Sequence, residues 1–481
     1  MNEWSLFGLI FVGIFAIIIT ANWFQLKLKI KSEFIRIFVH ILVGTVVLLC
    51  IYIFKSNIQL IILSSIFIGV NLISIKLNKF QSINNTARKS FGTVYFPLSI
   101  FILSLFFWEK PISLILSILV MTLADPLATI IGNNGKTTFR PWRDKKSRRG
   151  SLAMFGTTLL IIMFGSDLLA RIYNASFFIP FPVLLGCSLF TALSATLAES
   201  ISFKGSDNIS VPIITFLSYE IFLINYTHGT LTSFSFWIFL SLITFIYSWY
   251  RRSLSTSGAI SGYLIGIIIF GSGSWPWIIP LVFFFISSSL LSHLNHKEYA
   301  ERNILQILAN GSLGALFAVI YFFYQFPPAI VLYLGAIGAA TADTWATEIG
   351  FYSKIRPRLI FTKTIVNRGV SGGITLLGLC ASMLGAIIIG ILGEAILGMN
   401  DLLFPIAIGG LAGSATDSIL GRFIQAQFKC ASCDSNTEDR YHCDEKTQLI
   451  FGSKFIGNDM VNFINTIIGA TVTYYLWMFY V

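Results

Sequence analysis

Apolar stretches long enough to cross a bilayer follow one another along almost the whole chain, and this constrains the fold more than any motif does. About sixteen runs of roughly 17–25 residues can be marked, among them 5–24, 92–108, 111–132, 231–249, 257–271, 275–292, 370–395 and 460–480. Backbone N–H and C=O groups in hydrocarbon find no water, so a span must satisfy them internally, as a helix of this length does. The expected fold is therefore all-α: a polytopic integral membrane protein with about sixteen transmembrane helices. Only 11% of the residues are charged. A mean hydropathy of +0.78 excludes a soluble domain. No nucleic acid partner is expected, because the basic residues occupy short inter-helix loops without a recognition module.

The charges that remain orient the chain. With the N-terminus outside, alternating spans place only Lys55, Lys110 and Arg171, of 33 Lys and Arg, on the outer side. This satisfies the positive-inside rule. Both termini are then expected outside. The basic loops face the cytoplasm, against anionic headgroups or an anionic substrate. The first run opens MNEW and has neither a basic n-region nor an A-x-A-like site, so it reads as a span rather than a signal peptide.

Acidic residues inside spans are costly and mark function. ADPLATIIG at 124–132 returns as ADTWATEIG at 342–350, an offset of 218 residues (343 − 125). Each copy precedes a basic loop, GKTTFRPWRDKKSRRGS or SKIRPRLIFTKTIVNRGVSGG, closing on Gly150–Ser151 and Gly369–Ser371 respectively. Two related domains, 1–250 and 251–481, are expected to join near Tyr250–Thr256. Asp125 and Asp343 lie about two turns from these loops, and Glu348 about one turn nearer. A carboxylate so placed is either an anchor for magnesium and a polyphosphate or part of an intramembrane ion pair or helix cap.

A second polar cluster, ATLAESISFKGSDNISVP, supplies Glu199, Asp207 and Asn208. Its counterparts are GSATDS with Asp417 and GNDMVNF with Asn458, Asp459 and Asn462. Asp125, Glu199, Asp207, Asp343, Glu348 and Asp417 are the candidate catalytic acids. Asp125, Asp207, Asp343 and Asp417 are the candidate magnesium ligands. Lys146, Arg149, Gly150, Ser151, Asn208, Lys363, Arg368, Gly369, Ser371, Asn458 and Asn462 are candidates for holding the nucleotide. GNNGKTT is not a Walker loop, since Ile130 stands where the first Gly is required, although Gly132 and Gly135 leave room for a phosphate near backbone amides.

Cys50, Cys187 and Cys380 fall in helices as small apolar residues. KCASCDSNTEDRYHC instead gathers Cys430, Cys433 and Cys443 with His442 in one loop. This spacing suits either a zinc site or a set of free thiols. His442 and Cys443 reach one tetrahedral ion together only across a tight turn.

These motifs resemble known families. EFIRIFVHILVG at 33–44 is similar to the E-x-x-R-K-x-x-H opening of the phytol kinase and dolichol kinase group, with Ile37 in place of the usual Lys. RKSFGTVYFPL, ADPLATIIG, KSRRGS and AESISFKGSDNISVP continue that similarity and place Glu33, Arg36, His40, Asp125, Lys146, Gly150, Ser151, Glu199, Asp207 and Asn208 on its motif positions. That superfamily also contains phosphatidate cytidylyltransferases. The second half resembles the phytyl-phosphate kinase family of DUF92-type integral membrane proteins. RRSLSTSGAISGYLIG, HKEYAERNILQILANG, TADTWATEIG, TKTIVNRGVSGGITLLG, GSATDSILGRFIQAQ and GNDMVNF occur in order. Lys297, Gln306, Asn310, Asp343, Glu348, Arg368, Gly369, Ser371, Asp417, Asn458 and Asn462 carry that likeness.

The resemblance implies a bifunctional membrane kinase using CTP and Mg2+. It would convert a prenyl alcohol such as phytol, geranylgeraniol or farnesol to its monophosphate and then its diphosphate. Its partners would be membrane lipid, the prenyl substrates and the nucleoside triphosphate. The alternatives are CDP-lipid synthesis and a transporter built from two repeats. Charged motifs crowded toward one face rather than the midplane favour an enzyme.

Overall fold

The computed structural model describes residues 2–77, 90–174, 179–294, 301–362, 364–368 and 370–480. Lys363, Gly369 and Lys297 lie outside these residues. Among the described residues, thirteen helices are long and apolar enough to cross a membrane, so the chain is an all-α polytopic membrane protein. The chain divides into two compact units, Met1–Leu231 and Thr232–Val481.

The first unit contains α1 (Glu3–Leu28), α2 (Ser32–Ile53), α3 (Ile58–Lys76), α4 (Gly92–Phe107), α5 (Pro111–Asn133), α6 (Arg148–Ile172), α7 (Phe181–Ser200) and α8 (Asp207–Thr227). The strands β1 (Thr138–Phe139) and β2 (Lys146–Ser147) pair antiparallel between α5 and α6. The second unit contains α9 (Leu231–Tyr250), α10 (Thr256–Leu294), α11 (Ile304–Tyr324), α12 (Pro328–Gly350), α13 (Leu376–Leu397), α14 (Leu403–Phe423) and α15 (Asn458–Met478). β3 (Arg358–Leu359) pairs with β4 (Gly373–Ile374) between α12 and α13. Five further strands lie between α14 and α15: β5 (Gln427–Lys429), β6 (Asn436–Thr437), β7 (Tyr441–His442), β8 (Glu445–Lys446) and β9 (Gln448–Phe451).

Three boundaries differ from the sequence expectation. Helix α9 belongs to the second unit, because the Trp237 indole N–H donates to the Gly266 carbonyl at 3.1 Å and stacks on Phe270 at 5.0 Å. The division therefore falls at 231/232 rather than near 250. The expected spans 257–271 and 275–292 form one element broken at Ser274, where φ is +60°. The run expected from 370 becomes helical only at Leu376, since Gly373 and Ile374 are taken up as β4 and Thr375 caps α13.

Each unit repeats one packing scheme. Helix α5 packs on α6 and α8 while α7 touches α6 and α8; α12 packs on α13 and α15 while α14 touches both. At the first crossing the Ser147 hydroxyl accepts from the Gly150 amide at 3.0 Å. At the second, Thr375 accepts from Gly378 at 3.0 Å. A Cβ on Gly150 would stand 2.9 Å from the Ala128 carbonyl oxygen, and one on Gly378 2.9 Å from that of Ala346. Gly378 is therefore a structural repeat of Gly150. Eighteen positions separate Gly132 from Gly150 and twenty-eight separate Gly350 from Gly378, so the second loop carries ten extra residues.

This close approach gives a direct test. Gly150→Val and Gly378→Val should each lower the unfolding midpoint in detergent, by an overpacking cost of about 1–3 kcal/mol. Gly156→Val, whose Cβ meets open space, should leave the midpoint unchanged in a thermal melt.

Candidate functional site

In the first unit a cavity of about 680 Å³ runs from an apolar end to a charged one. Ile14 and Ile18 of α1, Val47 of α2, and Leu60, Leu63 and Phe67 of α3 line the apolar end. Glu33, Arg36 and His40 of α2 project into the other, at spacings of three and four residues that share one helical face. Asp125 of α5, Lys146 of β2, and Asp207 and Asn208 of α8 complete the polar wall. His40 Nε2 is hydrogen-bonded to the Met121 carbonyl at 3.0 Å, which fixes the imidazole one turn from Asp125.

Lys146 is the centre of charge. Its Nζ stands 2.5 Å from Glu199 Oε1 and 3.9 Å from Asp207 Oδ2. Burial works to push the Lys146 pKa down, but Glu199 and Asp207 outweigh it and hold the pKa above the ordinary lysine value, so the ammonium stays charged. Asp125 sits in the combined field of Asp207, Glu199, Lys146 and Arg36. Three carboxylates thus gather round Lys146, and Glu199 Oε2 is buried without a hydrogen-bond partner. That surplus of acidic oxygen fits a divalent cation. Asn208 Nδ2 donates to Asp207 Oδ1 at 3.2 Å and to the Gly205 carbonyl at 3.2 Å, fixing the first turn of α8. Arg143 lies over the Trp142 and Phe203 rings at 4.9 and 5.3 Å, tying the hairpin loop to the loop before α8.

The second unit builds a related but differently charged centre. Asp343 of α12 lies near Ser414 and Asp417 of α14. Asp417 Oδ1 is buried without a partner. Asp417 also feels Glu438, which accepts a hydrogen bond from the Ser371 hydroxyl. The residue before the capping position is Lys146 in the first unit and Ile374 in the second. Arg368 of this loop and Arg422 of α14 are engaged elsewhere. Arg368 donates to the Ser353 carbonyl at 2.6 Å and stacks on Phe351, and Arg422 donates to the Ile360 carbonyl. Paired half-buried carboxylates without a lysine also fit a divalent cation.

The structure thus brings Asp125, Glu199, Asp207, Asn208 and Lys146 together, and separately Asp343, Asp417 and Ser371. Other candidates fall elsewhere. Glu348, five residues after Asp343 and so about 140° around the helix, accepts from Ser292 at 2.7 Å, and Arg302 donates to the same hydroxyl at 2.9 Å. Arg149 donates to the Asn134 carbonyl at 3.3 Å, and neither it, Gly150 nor Ser151 lines the cavity. Gly132 serves the helix crossing, since a Cβ there would stand 2.8 Å from Ser147 Oγ. Gln306 closes a capping box with Asn303 at the start of α11. Asn310 Nδ2 donates to the Gln306 carbonyl at 3.1 Å. Asn458 is exposed and Asn462 half-buried on α15. Glu438 was absent from the sequence candidates; its signal, an acid inside the cysteine-bearing loop, has no helical period to mark it.

A bundle of membrane helices with an amphiphilic cavity ending in acidic side chains defines a polytopic membrane protein with a polar site among its helices. The chain belongs to the integral membrane protein family DUF92, which matches residues 239–470. It is 34% identical to an uncharacterized membrane protein of Methanocaldococcus jannaschii over 181 residues, 36% of this chain and 76% of that protein. It is 31% identical to Protein PGR of Arabidopsis thaliana over 272 residues, 49% of this chain and 93% of that protein. It is 28% identical to a phytol kinase of a Synechocystis species over 214 residues, 44% of this chain and 88% of that protein. No solved structure matches the chain.

The Lys146–Glu199 pair makes its own prediction. Lys146→Met leaves the buried Glu199 carboxylate without its cation, a cost of about 3–5 kcal/mol. Glu199→Gln added to it should recover most of the lost unfolding temperature in detergent; an additive double mutant would show that the pair carries no coupling.

Proposed function

We propose that the chain is a bifunctional prenol kinase. Its first unit moves the terminal phosphoryl group of CTP to a prenyl alcohol, and its second unit phosphorylates the resulting monophosphate. The observation that carries this reading is the cavity with two chemical ends, greasy along α1 to α3 and ionic at Asp125 and Lys146. An isoprenoid tail fits the first and a hydroxyl beside a polyphosphate the second. The volume falls in the usual range of ligand pockets, about 300–1,000 Å³. The likeness to a phytol kinase supports the substrate class.

In this reading the alcohol oxygen attacks the terminal phosphorus, the bond to the departing nucleoside diphosphate breaks, and the hydroxyl proton passes to Asp125 or Asp207. Lys146 and Arg36 hold phosphate oxygens by charge. Asp125 and Asp207 in the first unit, and Asp343 and Asp417 in the second, would hold magnesium, which when bound supplies neutralisation of the phosphate tail. Lys146 keeps Glu199 and Asp207 from repelling that tail. The second unit lacks a Lys146 counterpart and relies on its acids alone, which suits a substrate that brings its own phosphate and metal.

Asp125→Asn should abolish conversion of farnesol or phytol to the monophosphate in membranes supplied with CTP and magnesium, while added prenyl monophosphate is still converted. Asp343→Asn should instead let monophosphate accumulate. Thin-layer separation of labelled products checks both. Equal loss of both steps in either variant, a CDP-lipid product, or uptake without turnover would each overturn the reading.

A further inference from the structure

The loop between α14 and α15 gathers four metal-binding side chains. The ligand atoms of Cys430, Cys433, His442 and Cys443 all lie within 4.8 Å of one another. His442 Nδ1 stands 3.4 Å from Cys433 Sγ and 3.3 Å from Cys443 Sγ. Tetrahedral zinc with Zn–S near 2.3 Å would hold its sulfur ligands roughly 3.8 Å apart, so the observed cluster needs little adjustment. All three sulfurs are free thiols, so no disulfide competes for them.

The backbone is shaped for the same end. Cys430 N donates to the Ser435 carbonyl at 3.0 Å and Asp434 N to the Cys430 carbonyl at 3.1 Å. These bonds wrap the first pair of thiols around one point, with Asp434 at φ +57°. The tight turn that His442 and Cys443 require is present: β7 and β8 pair His442 with Glu445, and the two turn residues between them, Cys443 and Asp444, have φ of +52° and +60°. Neither is glycine, so the left-handed conformation is unfavourable at both. Bonds from Thr447 to the Arg440 and Asp439 carbonyls at 3.1 and 2.8 Å and from Ser432 to Glu445 at 2.7 Å brace the strands of this hairpin rather than its turn. Three sulfurs and one imidazole form a donor set typical of structural zinc.

We propose that Cys430, Cys433, His442 and Cys443 bind one zinc ion that folds this loop. The turn at Cys443 meets the condition under which His442 joins Cys430, Cys433 and Cys443 on one ion. The loop carries Glu438, which reaches Ser371 and the Asp417 centre, so the ion sets where that carboxylate stands. The ligand assignment is independent of the kinase reading.

The full chain purified in detergent, with metal measured by mass spectrometry, should hold one zinc per molecule. Cys433→Ser should lower the content by at least about fivefold, and Cys380→Ser, on the exposed side of α13, should not. Because the first variant could fail to fold, the wild-type protein is also tested by chelation. Removing zinc should raise hydrogen exchange across residues 424–457 and leave the exchange of α5 to α8 unchanged; adding zinc back should reverse it. Cobalt(II) in its place should give the absorption of a tetrahedral thiolate site. A protein without zinc, zinc retained in Cys433→Ser, or a loop indifferent to chelation would overturn the assignment. Loss of zinc without loss of prenol phosphorylation would leave it standing while separating it from the first unit's activity.

Discussion

A carboxylate in a helix bundle surrounded by hydrocarbon must be compensated, and the first unit is arranged around that requirement. Lys146, delivered by a two-stranded hairpin, reaches Glu199 at the end of α7 and Asp207 at the start of α8. Its ammonium ties three elements together at the point where Asp125 meets the cavity. Salt bridges between buried groups rarely add net stability. Their retention here is explained by position: the pair holds a charged surface at the end of an apolar channel.

The two units show how a repeat can keep its scaffold and change its chemistry. The helix crossing survives almost atom for atom, with Ser147 and Gly150 against Ala128 answered by Thr375 and Gly378 against Ala346. The charge does not. Ile374 takes the place of Lys146, and the longer loop of the second unit brings Ser371 to Glu438 instead. Glu199 near the end of α7 and Asp417 on the corresponding helix α14 each keep one oxygen buried and unpartnered. The first centre is a lysine-organised acid group, the second an acid group alone.

Much of this was legible in the sequence because hydrocarbon leaves so few choices. Run length gave the spans, and the A-D-x-x-A-T-x-I-G echo gave the repeat. The match of Gly150 with Gly378 was not legible, because the second loop carries ten more residues and a Ser-to-Thr change hid the shared cap. Glu348 was grouped with Asp343 by nearness in the chain, although five residues of helix turn the two side chains apart. The cavity was not visible at all: Ile14, Leu60 and Phe67 have the same composition whether they face lipid or a ligand. Glu438 sits in short irregular strands, where no periodicity distinguishes a solvated acid from one turned toward a site.

The central claim is that a prenyl chain occupies the apolar end of this cavity with its hydroxyl at Asp125. Photolabelling the protein in membranes with a farnesol analogue carrying a diazirine near the tail, followed by peptide mapping, tests it most directly. The account predicts adducts concentrated on Ile14, Ile18, Leu60, Leu63 and Phe67 and competed away by unlabelled farnesol. Labelling spread evenly over lipid-facing positions such as Leu9, Leu152 and Leu168, without competition, would contradict it.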